Sequence, residues 1–315
     1  MTSSLTVYDA MPKEFRDALG DELVTDVAVR DNGHGYITRM GQFIDIGYHA
    51  DKVELILCLA ASSPLDESES DQGKVINEET PSIECSLPNG ERLVGKRPEV
   101  GGKWTVTIRS PMGRRLTWEE QIGFGTVTRK QADFIEEAVA RGDTIFVVGP
   151  MNSGKSTLLN TMLGSTALSG KVVVKIEKGV SELIGTAMST TYVVGENCSS
   201  ENAQGKSLRE SGDVFIFAEA RSGEDMDEVM TTVGTGHQSF TTLHADSAND
   251  LPFRIEKLLR KNGDSSKREE IHEDIARDVD LCVFIEKMDD GKRIVTDIAT
   301  FVMQDGRAVA RSVIP

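Results

Sequence analysis

The sequence predicts an α/β protein in which a C-terminal doubly wound sheet follows a smaller N-terminal α+β domain. Three observations carry this expectation. Beyond residue 130, short β-branched runs alternate with helical runs, the pattern of parallel strands covered on both faces. Before residue 110, strand-like runs alternate apolar and polar side chains. The length of 315 residues suits two domains at about 150 residues each. The expected boundaries are 1–115 for the N-terminal domain, 116–128 for a linker and 129–315 for the larger domain.

Each element has its own signal. Met11–Leu19 suits a short helix, and Leu23–Arg30 and Tyr36–Ile46 suit strands joined by the turn residues Asp31-Asn32-Gly33. Residues 62–80 are polar, acidic and turn-rich, which marks a surface loop. Ser86-Leu87 and Arg92-Leu93-Val94 flank Pro88-Asn89-Gly90-Glu91, whose Asn-Gly pair tolerates positive φ and so signals a hairpin. Lys103–Arg109 alternates as a strand, and Lys130–Arg141 reads as a helix. Buried strands are then expected at Thr144–Val148, Lys171–Ile176, Asp213–Phe217, Ser239–Leu243 and Leu281–Ile285. Ile294–Phe301 is expected to close an antiparallel edge hairpin that turns at Asp289-Asp290-Gly291. After Asp213–Phe217, Ser222 and Asp225 form a capping-box-like helix start, and Met226, Val229, Met230 and Val233 make one apolar stripe. Gly234-Thr235-Gly236 ends that helix.

Composition narrows the function. Hydrophobic residues make up 38% and charged residues 27%, an ordinary globular balance. The 51 acidic and 35 basic side chains give a net charge of −16, which argues against a coat for nucleic-acid phosphates or anionic membranes. Residues 91–130 depart from that trend: Arg92, Lys96, Arg97, Lys103, Arg109, Arg114, Arg115, Arg129 and Lys130 face only four acids. Such a run is most often a solvated face. The cysteines Cys58, Cys85, Cys198 and Cys282 are scattered, so neither a thiol zinc site nor a disulfide framework is expected. The first residues carry no basic-then-apolar leader pattern, and no apolar stretch reaches 18 residues, so the expected location is the cytoplasm.

Gly149–Thr157 reads G-P-M-N-S-G-K-S-T, the pattern G-x-x-x-x-G-K-[ST] of a phosphate-binding loop between a strand and a helix. Gly149 and Gly154 permit a tight loop; past Pro150, the backbone N–H groups of Met151-Asn152-Ser153 and the following residues converge as an anion nest, to which the helix start adds its positive end. Lys155 supplies a charge for β- and γ-phosphates, and Ser156 a hydroxyl for Mg²⁺, with Thr157 closing the motif. ATP and Mg²⁺ are the expected ligands. Glu219, at the carboxyl end of Asp213–Phe217, stands where α/β sheets bind ligands and is the candidate acid; the bland alternative is an ion pair with Arg221. Glu177 ends the strand Lys171–Ile176 at the same sheet edge and is the candidate for polarising water, with Glu182 beyond it. His237 and His244 bracket Gln238–Leu243 and are expected at its two ends rather than on one metal.

Together these motifs resemble the traffic ATPases, the secretion motors of type II and type IV secretion, conjugation and type IV pilus systems. Asp213–Arg221 with Ser222-Gly223-Glu224-Asp225 is similar to the family's modified Walker B, Gly234–Ser247 to its histidine box and Lys175–Glu182 to its acidic box. Val279–Ile298 resembles the C-terminal hairpin region and Lys103–Pro111 the last strand of the N-terminal domain. The sequence departs from the pattern at Ala218, in place of a glycine, at Lys178, in place of an aspartate, and at Glu182, one residue further along.

The resemblance implies a C-terminal P-loop NTPase (RecA-like) domain and ATP hydrolysis within a homohexameric ring. It also implies inner-membrane secretion or pilus components as partners, and a cytoplasmic location peripheral to that membrane. Direct nucleic-acid binding is not expected. Arg109, and Arg92 with it, would reach nucleotide phosphates at a domain or subunit boundary, and His237 and His244 would link the γ-phosphate to that boundary. A second reading is a nucleotide-binding assembly switch with little turnover, which Lys178 and the shifted Glu182 favour.

Overall fold

The computed structural model describes residues 6–39, 42–62, 76–110, 114–178, 183–194 and 198–314. Most of the expected loop 62–80, and Glu182, lie outside the described residues. The chain divides into two compact units, Met1–Arg114 and Arg115–Pro315.

In the first unit, helices α1 (Val7–Ala10) and α2 (Lys13–Leu19) precede strands β1 (Val24–Val29), β2 (His34–Arg39) and β3 (Gln42–Tyr48). Helix α3 (Ala50–Ser62) and strands β4 (Ser82–Ser86), β5 (Arg92–Lys96) and β6 (Thr105–Arg109) follow. The strands form one antiparallel sheet in the order β3-β2-β1-β6-β5-β4. The expected single strand Tyr36–Ile46 is in fact two, paired with each other from His34↔Tyr48 to Arg39↔Gln42. The expected hairpin at Asn89-Gly90 is present, with Gly90 at φ 89° and Leu87 bonded across the turn to Glu91. Helix α3 was not expected, yet its buried residues Val53, Ile56, Leu57, Ala60 and Ala61 fall at i, i+3, i+4, i+7 and i+8. Leu57 packs where β5 has no side chain: a Cβ on Gly95 would lie 2.1 Å from a Leu57 methyl. Val27, Val29, Leu93, Val106 and Ile108 complete this core from the sheet.

The second unit begins with α4 (Trp118–Gly123), which occupies the segment expected as a linker. Thr117 and Glu120 cap it reciprocally, and Trp118 and Ile122 pack on the core, so this stretch is folded structure. Next come α5 (Arg129–Arg141), β7 (Ile145–Val148), α6 (Lys155–Met162), β8 (Val173–Lys178), β9 (Ser189–Val194), α7 (Ser200–Ser207) and β10 (Val214–Phe217). The unit ends with α8 (Gly223–Gly234), β11 (Gln238–Leu243), α9 (Leu251–Lys261), α10 (Arg268–Asp278), β12 (Leu281–Lys287), β13 (Arg293–Gln304) and β14 (Arg307–Ile314). Helix α5 carries a Thr128–Gln131 capping box and stops at Gly142 in the left-handed region.

The eight strands lie in the order β14-β13-β12-β7-β11-β10-β8-β9. From β12 to β9 all neighbours are parallel; β13 and β14 run antiparallel at the other edge. β13 was expected at the edge, but β14 covers it. Alternate side chains of the parallel strands enter two separate cores. Ile145, Val147, Val173, Val214 and Ile216 meet Ile135, Leu158 and Leu159 of α5 and α6. Phe146, Val148, Val174, Phe215 and Phe217 meet Met226, Val229, Ile255 and Ile275 of α8, α9 and α10. Both faces are therefore apolar, which is why the strands read as continuous β-branched runs. This is a RecA-like doubly wound sheet, with all the parallel carboxyl ends on one edge.

Candidate active site

That edge is built around the phosphate loop. Strand β7 delivers the chain to Gly149, whose amide bonds to Leu243 O at 3.2 Å. Only glycine fits there, because a Cβ would sit 1.9 Å from the carbonyl oxygen of Ile285 on β12. The loop then turns through Asn152 at φ 60° and Gly154 at φ 99°, both left-handed. Pro150, Met151 and Asn152 are exposed, and Ser156 and Thr157 are half-buried in the first turn of α6. No side chain caps α6, so its leading amides are left for an anion. Ser153 Oγ is buried with no hydrogen-bond partner among the described residues. A buried orphan hydroxyl beside uncapped amides is the condition that a bound phosphate would relieve.

Lys155 is almost wholly buried, and its Nζ donates to Gly149 O at 3.0 Å and Pro150 O at 2.7 Å. Burial pushes its pKa down to about 8, against the opposing pull of Glu219. Its third neighbour is His244 Nδ1 at 3.1 Å. The other ring nitrogen, Nε2, meets Glu219 at 2.8 Å. Glu219 in turn accepts from Arg221 Nε at 2.7 Å. A continuous polar chain Lys155–His244–Glu219–Arg221 thus joins three adjacent strand ends, those of β7, β11 and β10. The Glu219–Arg221 pair expected as a bland alternative is present, and it coexists with the contact to His244.

Two other expected site residues are placed differently. His237 stands at the amino end of β11, about 23 Å along the strand from His244 at about 3.3 Å per residue. It packs edge-on against Phe215 and bonds Thr235 Oγ1 at 2.7 Å, away from the loop. Glu177 is on the correct strand but buried, paired with Lys175 Nζ at 3.2 Å and accepting from Leu183 N at 3.1 Å. Lys175 Nζ also donates to Leu183 O at 2.6 Å, so the pair fastens the chain after residue 182 onto β8. Glu177 is therefore not presented as an open carboxylate beside the loop.

In the first unit, Arg109 pairs with Asp26 at 3.0 Å across the β1–β6 ladder, and Arg92 pairs with Glu84. Arg97 and Arg114 pair with Glu99 and Glu22. The basic run is thus largely answered by local acids, in surface pairs that water screens.

Sequence reasoning missed Arg293. Its Nε donates to Asn152 O at 3.1 Å, and its Cδ lies 2.9 Å from where a Gly154 Cβ would be. The signal lies in the sheet order: β12 neighbours β7, so the hairpin return to β13 starts next to the phosphate loop.

A family description, type II/IV secretion system protein, matches residues 86–288, which span the phosphate loop, Glu219 and His244. The chain belongs to the type II/IV secretion system protein family. It is one of the traffic ATPases that the motifs resemble. Family relatives extend along almost the whole chain. A probable conjugal transfer protein TrbB of Sinorhizobium fredii is 24% identical over 96% of this chain and 94% of its own. Conjugal transfer protein TrbB of Rhizobium radiobacter is 23% identical over 93% and 91%. The type IV pilus ATPase PilU of Pseudomonas aeruginosa is 35% identical over 36% of this chain and 31% of its own.

Two solved family structures share the fold. The Legionella pneumophila ATPase DotB superposes with a TM-score of 0.64 at 17% identity, covering 93% of this chain and 80% of that one. The pilus retraction motor PilT with bound ADP gives 0.63 at 17%, covering 91% and 80%.

Proposed function

We propose that this secretion ATPase hydrolyses ATP as the motor subunit of a homohexameric ring, powering a type IV secretion, conjugation or pilus apparatus. The observation that carries the reading is the Lys155–His244–Glu219–Arg221 chain beside an uncapped α6. Likeness to conjugal transfer proteins along almost the full chain supports the conjugation branch. The motor would work from the cytoplasm, docked on inner-membrane components through protein contacts. No helix among the described residues is long and apolar enough to cross a membrane.

The residues divide the work. Loop amides and the α6 start bind the β- and γ-phosphates. Lys155 exchanges the carbonyls of Gly149 and Pro150 for phosphate oxygens, so its ammonium is already held within the loop before nucleotide arrives. Ser156 and Glu219 offer the hard oxygen ligands that suit Mg²⁺, which would neutralise charge on the phosphate oxygens. Glu219 also orients the attacking water, and His244, touching both Lys155 and Glu219, holds the two in register. In-line attack then depends on positioning and charge stabilisation. Arg109 remains our candidate for a phosphate contact, released from Asp26 in the assembled ring.

A switch with little turnover is the competing reading, and the buried Lys175–Glu177 pair favours it, since it withdraws one candidate acid. The Glu219→Gln variant separates them. The motor reading expects that variant to bind ATP as wild type does while turnover falls at least about 100-fold. Unchanged phosphate release in that variant would reject Glu219 as the acid.

A further inference from the structure

At the end of β8, Lys178 stands where the family pattern has an aspartate, and its Nζ forms an ion pair with Asp225 Oδ1. Asp225 is buried and is one of two acids, with Glu224, in the first turn of α8. Its other oxygen, Oδ2, accepts from Arg221 N at 3.0 Å and Ser222 N at 2.9 Å. These amides belong to the short connection from β10 to α8 that carries Glu219. The opposite side of that connection is fixed as well: Ala218 N donates to Ile176 O, and Ala220 N and Thr242 Oγ1 tie it to β11. Glu219 is therefore set by a backbone segment clamped at both ends, and Asp225 closes the Arg221–Ser222 end.

We propose that Lys178 is a positioning residue for Glu219, acting through Asp225 to fix the β10–α8 connection. The proposal rests on the reading of Glu219 as the catalytic acid. A cavity of about 20 Å³ lined by Ile176, Lys178, Phe217, Glu219, Asp225 and Glu228 brings all the partners to one place. The electrostatics agree. Burial alone would raise the Asp225 carboxyl, but the Lys178 ammonium and the Ser222 and Arg221 amides hold it below its usual range. Without Lys178, a buried carboxylate would keep its two amides but lose its cation, beside the carboxyl of Glu228. The clamp would loosen, and Glu219 with it.

The test is a double-mutant cycle on turnover. Lys178→Met, which keeps the stem and removes the charge, is expected to lower kcat at least about tenfold with the ATP Kd within about twofold. Asp225→Asn should do the same, and the double variant should lose no more than Asp225→Asn alone. Lys178→Arg keeps the pair and should stay within about threefold of wild type. Full-rate Lys178→Met would overturn the proposal, as would losses that multiply in the double variant. Should Lys178→Met lose its melting transition, Lys178→Arg decides, a tenfold fall there counting against the pair. Full-rate Glu219→Gln would instead overturn the reading beneath the proposal, and the proposal with it.

Discussion

Lys155 shows how one side chain can be prepared for a ligand before the ligand binds. Its ammonium is buried, held by two loop carbonyls and a histidine, and its pKa is pushed down to about 8. Beside phosphate the charged form is favoured and the pKa must rise. At pH 8, half of the free protein's Lys155 is neutral, so ATP binding should take up about half a proton from that group. Affinity should fall as pH rises above 8 and be flat below about 7. Calorimetric titration in two buffers of different ionisation enthalpy reads this uptake; heats that do not depend on buffer would contradict the assignment. The loop itself was legible in the sequence because its residue types answer backbone demands. Gly149 has no room for a Cβ, and Gly154 lies in the left-handed region. Glu177 was legible only as a position on a strand. Its partner Lys175 is two residues away, on the same face, a pairing that becomes decisive only once burial is known.

At the scale of elements, α8 shows the cost of placing acids near the site. Asp225 caps the helix, whereas Glu228, one turn further on, is buried, and its pKa is pushed up to about 7 by burial and by the charges of Asp225 and Glu224. A carboxyl with a raised folded-state pKa binds its proton more tightly when folded. Its contribution to stability is therefore full below the unfolded value near 4.5 and is lost as pH rises towards 7. Glu228→Gln should remove this dependence, raising stability above pH 7 by about 1–3 kcal/mol with little change at pH 4.5. Urea melts at the two pH values measure it; a variant less stable than wild type at pH 8 would contradict the sign. The α8 stripe and cap were legible because both are local patterns. Helix α3 was equally periodic but was overlooked, since Leu55 and Leu59 lie off its buried stripe and blur the contrast between faces. His237 and His244 do stand at the two ends of Gln238–Leu243, as their spacing predicts, and that same spacing puts His237 at the edge of the sheet away from the phosphate loop.

Over the whole molecule, two units with separate cores predict separable folding. Met1–Arg114 buries Phe15, Ile56, Leu93 and Ile108 among its own residues, and Arg115–Pro315 closes two cores of its own. A fragment of residues 115–315 is expected to melt cooperatively, because both of its cores and the phosphate loop with its described contacts lie in it. A fragment without a cooperative transition would contradict that independence. The net charge of −16 describes the chain as a whole; at the sheet edge that carries the phosphate loop, the structure gathers Lys155, Arg221 and Arg293 from distant parts of the sequence. The basic run of residues 91–130 is instead absorbed largely by ion pairs within each unit.

The central claim, that this phosphate loop supports hydrolysis, is tested most directly by steady-state phosphate release from Mg²⁺·ATP by the full chain and its Lys155→Ala variant. Wild type should turn over continuously, and the variant should keep the same melting transition while losing at least about 1,000-fold in rate. Lys155→Ala hydrolysing at the wild-type rate, or wild type releasing no more than one phosphate per bound ATP, would contradict the account.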